Sequence, residues 1–102
     1  MKTNEPKPGT IAYLAEQGGA PGKAFKEFVL ALNAEEALSP KTRELVFIGV
    51  QTALDQQDSL RAHIPRARAA GASTQEIAAA MMVAIVNGGV VGALHGLPML
   101  QD

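Results

Sequence analysis

A chain of 102 residues makes one domain, large enough for a hydrophobic core and small enough that self-association would help to bury its apolar surface. Its formal charge of -1 and its 4% aromatic content supply neither bulk attraction to phosphate nor stacking partners, which argues against nucleic-acid binding. The absence of cysteine excludes disulfides, thiolate nucleophiles and cysteine-ligated metal or redox centres.

The opening residues, MKTNEPKPGT, lack the apolar core of a signal peptide and carry Pro6 and Pro8 among polar residues. Residues 1–9 therefore read as a flexible arm of a cytoplasmic protein, ahead of a single domain over 10–102. Between Thr10 and Glu16, the helical spacing of Ile11, Leu14 and Ala15 predicts a short helix that Gly18 and Gly19 end. After a break over Gly18 to Gly22, Phe25, Phe28, Val29 and Leu32 fall at i, i+3, i+4 and i+7. With Lys23, Lys26 and Glu27 mostly off that stripe, this is an amphipathic helix that frays into Asn33 to Glu36.

Ser39-Pro40 starts the next helix. The serine oxygen accepts from unpaired first-turn amides, and proline at the first helical position forfeits no hydrogen bond. The helix runs to about Leu54 and is apolar on nearly every side through Leu45, Val46, Phe47, Ile48 and Val50, so it should be central. Glu44 stands one turn before Ile48. Taken alone, it reads first as a solvated carboxylate near the positive end of the helix, and second as a carboxylate with an approach to buried surroundings.

Asp55 or Asp58 can cap a following helix in which Leu60, His63, Ile64 and Ala67 share a face. His63 thus points inward. Taken alone it reads as a core histidine bonded to a neighbour, while Pro65, expected to bend the helix just after it, hints at a shaped pocket. Gly71 stops that helix, and Ser73-Thr74-Gln75-Glu76 forms a capping box for the next. Ile77 to Val86 is apolar all round and needs enclosure by other helices or by other subunits. A break near Asn87 to Gly89 precedes a last helix reaching about Leu97, in which Gly88, Gly92 and Gly96 recur every four residues and would admit a close backbone. His95 has no evident partner and reads as structural. No alternating strand pattern competes, so the fold class is all-α with five or six helices.

Ile77 to Leu100 carries no formal charge over 24 residues, long enough to span a bilayer. Asn87, His95, Pro98 and the glycines argue against insertion, and no lysine or arginine follows Arg68 to orient it.

The runs LSPKTRELVFIGV, DSLRAH and RARAAGASTQEIAAAMM resemble the superfamily of carboxymuconolactone decarboxylases and AhpD-like alkylhydroperoxidases over about 60 residues. The marks are the KTREL helix start, a histidine 19 residues after the glutamate, and GAS-x-x-EI opening the next helix. The resemblance implies a compact helical subunit that assembles as a homotrimer or homohexamer, without cofactor or metal. In the peroxidase branch a C-x-x-C pair works with the glutamate and histidine as a proton relay. Gln56 and Ser59 occupy those two places here, so that redox chemistry is not available.

The decarboxylase branch lacks the cysteines and often has an acidic residue five before the histidine, here Asp58. For that chemistry His63, with Glu44 or Asp58, would move the proton, and Arg43 or Arg61 would hold a carboxylate of a small organic acid. The branch's Tyr-x-Gly-x-Pro segment is replaced by Asn87-Gly88-Gly89-Val90-Val91, which leaves the substrate open. Two readings stand beside a membrane hairpin: an acid–base decarboxylase, and a non-catalytic or divergent oligomer that binds a small acid. Complete enclosure of His63 by aliphatic side chains, with no cavity beside it, would count against the enzyme.

Overall fold

The computed structural model describes residues 5–101. They are all-α, with six helices, a closing 3-10 turn and no strand among the described residues. They fall into two compact units that divide between Ala37 and Leu38. Of the arm expected over 1–9, residues 1–4 lie outside the described residues. The Lys7 carbonyl accepts from the Thr10 amide at 3.3 Å and the Thr10 hydroxyl at 2.7 Å, closing a turn ahead of the first helix.

The first unit is a pair of helices, α1 (Ile11–Gln17) and α2 (Gly19–Ala34). Thr10 caps α1 by accepting from the Tyr13 amide at 3.1 Å. The break expected through Gly22 is shorter than the glycines suggest, because α2 already begins at Gly19. Pro21 falls in the first turn, where amides have no helical partner, so it does not oppose the helix. The apolar stripe of α2 stays open, with Phe28 60% exposed.

The second unit holds α3 (Pro40–Ala53), α4 (Gln57–Ala69), α5 (Thr74–Gly88), α6 (Val91–Gly96) and the 3-10 turn Leu97–Gln101. The expected starts are present. Ser39 Oγ accepts from the Thr42 amide at 3.1 Å with Pro40 at the first position. Ser73 Oγ accepts from the Glu76 amide at 3.0 Å, while Glu76 Oε1 accepts from the Ser73 amide at 2.8 Å. As its apolar character required, α3 is central and packs on α4, α5 and α6. Ile48, Leu60, Ile64, Ala67, Ile77 and Met81 form the core, with Met99 and Leu100 closing it from the 3-10 turn. Arg68 donates to the Leu100 carbonyl at 2.9 Å and ties α4 to that turn.

Neither aspartate caps α4. Gln56 is its N-cap and makes no side-chain cap bond, because Asp55 is committed to the end of α3. There the Gln56 amide donates to the Gln51 carbonyl at 2.8 Å and the Asp55 amide to the Thr52 carbonyl at 3.1 Å. This is a Schellman ending, with Asp55 at φ 52 in the left-handed place usually held by glycine. The end of α4 repeats the motif with Gly71. α4 continues through the exposed Pro65 as far as Ala69.

The break after Asn87 falls where expected, at Gly89 with φ 80. The glycine spacing beyond it does admit a backbone: a side chain at Gly92 would collide with the Thr52 carbonyl of α3. α5 buries Ile77, Met81 and Ala84 but leaves Met82, Val83 and Val86 exposed, so the unit's own helices enclose only one side of it. No helix among the described residues is long and apolar enough to cross a membrane.

Candidate functional site

The α3 and α4 helices lie antiparallel, and two contacts fix their register. At the turn between them Gln51 meets Gln56 through the backbone, and about two turns further along Glu44 meets His63. In both pairs the residue numbers add to the same total, as uninterrupted antiparallel packing requires. The 19-residue spacing recognised in the sequence is therefore a spatial contact.

His63 Nδ1 lies 2.7 Å from Glu44 Oε1, with the two side chains 17% and 14% exposed. An ionised carboxylate only accepts, so this contact places a proton on Nδ1 and leaves Nε2 outside the bond to Glu44. Phe47, one turn after Glu44, stands against the imidazole with ring centroids 4.9 Å apart at 42°. The ring is thus held from two directions by one helix: an acceptor for its nitrogen and an aromatic wall for its face. His63 keeps 17% of its side chain exposed, and an aromatic ring rather than an aliphatic chain stands against its face.

Asp58 and Arg61, also singled out from the sequence, pair with one another instead. Asp58 is fully exposed and accepts from Arg61 Nη1 at 3.3 Å, a one-turn surface pair on α4. Arg43 directly precedes Glu44 and is half-buried. Of the two places taken by cysteine in the peroxidase branch, Ser59 is half-buried one turn before His63, whereas Gln56 is exposed ahead of α4. Among the described residues no three histidine or acidic side chains gather as a metal site.

Sequence reasoning missed three residues. Phe47 read as one more apolar position of α3, although its place three residues after Glu44 puts it on the same face. Gln51, seven after Glu44, was a polar residue inside an apolar helix. It is 7% exposed, and its Oε1 is buried without a hydrogen-bond partner. Asp55 gives His95 a partner that spacing concealed: His95 Nδ1 lies 2.9 Å from Asp55 Oδ1 and 3.2 Å from Gln57 Nε2. Nδ1 carries at most one hydrogen, and the shorter contact assigns it to Asp55.

Glu76 lies outside the pair, in the first turn of α5. The Ser73 amide, followed by Lys41 at 2.9 Å, holds the Glu76 carboxyl below its ordinary value.

Compared with known proteins, the chain matches the family model described as carboxymuconolactone decarboxylase family, over residues 20–102. No curated protein and no solved structure matches it.

Proposed function

The chain belongs to the carboxymuconolactone decarboxylase family, and from that footing we propose that it is an acid–base catalyst acting on a small organic acid, with His63 moving the proton. The observation that carries the proposal is the 2.7 Å bond between His63 Nδ1 and Glu44, made by two largely buried side chains on facing helices. Glu44 fixes the tautomer and ring orientation and stabilises the imidazolium, leaving Nε2 as the working atom.

For a lactone bearing a carboxylate on its saturated ring carbon, the bond to that carboxylate breaks and carbon dioxide leaves. The electron pair passes into the conjugated lactone as a dienolate. Protonated His63 gives its Nε2 proton to the dienolate carbon, and solvent restores the imidazolium. Arg43 is the cation we assign to a substrate carboxylate; Asp58 and Arg61 are engaged with one another at the surface and take no step. Thiol peroxidase chemistry has no place here, since the chain contains no cysteine.

Turnover of γ-carboxymuconolactone by the wild type and by His63→Ala tests the proposal. Decarboxylation by the wild type that is lost in His63→Ala supports it, and equal rates would remove His63 from the chemistry. Binding of the lactone acid without turnover would instead favour a small-molecule-binding member of the family.

We also propose that the protein self-associates as a trimer or hexamer. The support is the apolar surface left by the second unit, where Val50, Leu54, Val83, Val86 and Leu94 are each more than half exposed. Light scattering at micromolar concentration would overturn this by reporting a monomer.

A further inference from the structure

Gln51 is a polar residue that the fold leaves unexplained. It is buried in α3, and its Oε1 lies out of reach of water with no donor to meet it. An amide taken from water without a partner is costly, and native proteins keep few such groups. Its neighbour Thr52 shows the alternative, since that equally buried hydroxyl donates to the Ile48 carbonyl at 2.7 Å.

Helix geometry says where Gln51 belongs. It follows Phe47 by four residues and Glu44 by seven, so the three share one face of α3. Side chains lean toward the N-terminus of their own helix. Gln51 therefore leans toward Phe47 and His63, and His63, on the antiparallel α4, leans toward the Gln51 end. A side-chain amide with no protein partner has no network to fix which of its two atoms is oxygen, so the buried position is equally suited to the amide nitrogen. With the nitrogen there, the seam between α3 and α4 offers two donors to a guest, the Gln51 amide and His63 Nε2–H. Two convergent donors suit an oxyanion.

We propose that Gln51 is a substrate-binding residue of the His63 site, its amide donating to the carboxylate of the small organic acid whose reacting carbon faces Nε2. The assignment rests on the acid–base reading of Glu44 and His63 and adds to it the group that holds the acid in register. The buried orphan amide is then a binding group waiting for its ligand, kept at some expense to the stability of the empty protein.

The test titrates the full chain with muconolactone, a lactone acid that lacks the departing carboxylate, and measures the thermal midpoint of each ligand-free protein. Gln51→Met keeps the shape and deletes the polar group. It should bind at least about tenfold more weakly, with a midpoint equal to or above that of the wild type. Gln51→Glu places a like charge against the ligand and should bind more weakly still at neutral pH. Binding by Gln51→Met within twofold of the wild type would overturn the assignment, as would a lowered midpoint accompanying the loss, which would mark the amide as structural. If His63→Ala abolishes binding while Gln51→Met retains it, only the Gln51 assignment fails. A wild type that binds no muconolactone overturns the acid–base reading and this assignment together.

Discussion

The two histidine–carboxylate pairs of the second unit share their chemistry and differ in their setting. Glu44 and His63 are 14% and 17% exposed, while Asp55 and His95 are 34% and 46% exposed. The first pair joins the middles of two long helices and has an aromatic ring against the imidazole. The second joins a helix end to the six-residue α6, and its carboxylate comes from a residue held in a left-handed conformation by the ending of α3. A hydrogen bond between the same groups strengthens as water is withdrawn and weakens where water competes. Contact alone therefore does not distinguish a site from a clasp. Burial, orientation and the neighbours of the free nitrogen do.

The largest effect should come from the seat of α6, on which the exposed pair depends. Gly92→Ala drives a methyl group into the Thr52 carbonyl, where backbone stands on both sides and neither side chain can move aside. It should cost about 3 kcal/mol. A fall in thermal midpoint of more than about 10 °C would follow for a chain of this size. A midpoint within a few degrees of the wild type would show that α6 shifts freely, and the exposed pair would then have no fixed geometry to compare.

His63→Ala comes next. It removes the wall partner of Phe47 and leaves the Glu44 carboxylate largely buried without its donor, at a cost of about 2 kcal/mol. Any decarboxylase activity should fall by about 10²-fold or more. His95→Ala, by contrast, should cost only about 0.5 kcal/mol, the scale of an exposed pair, and leave turnover unchanged. Chemical denaturation and turnover measured on both variants sharpen the contrast; equal stability losses for the two would erase it.

These differences were unevenly legible in the sequence. Ser39-Pro40, Ser73 with Glu76, and Gly89 act within four residues, so local chemistry announced α3, α5 and the break before α6. Glu44 and His63 were legible through the motif they match, although only the packing of α3 on α4 across a tight turn shows that the two meet. Asp55 was not. It read as a helix cap because aspartate usually caps, but the demand of α3 for a left-handed residue at its end prevailed over that preference. His95 found its partner 40 residues back in the chain, a separation that only the packing of α6 on α3 closes. Gln51 was hidden differently: burial without a partner is a property of the surroundings, and no local pattern carries it.

A third carboxylate sharpens the comparison by replacing histidine with a partner of constant charge. Glu76 Oε2 meets Lys41 Nζ at 2.9 Å across the starts of α5 and α3, with side chains 41% and 39% exposed. Its carboxyl is held below the ordinary value first by the Ser73 amide and then by Lys41. A carboxyl lowered in the folded state contributes stability above its unfolded pKa, and loses it as pH falls through the lowered folded value. The window therefore lies at and below the ordinary glutamate value of about 4.3. Glu76→Gln keeps an oxygen for the Ser73 amide and removes only the charge. At neutral pH the variant should be slightly less stable than the wild type, and denaturation curves taken down to about pH 3 should show the gap closing. A gap that stays constant would assign the whole contribution of Glu76 to the shape of its capping box, and none of it to its charge.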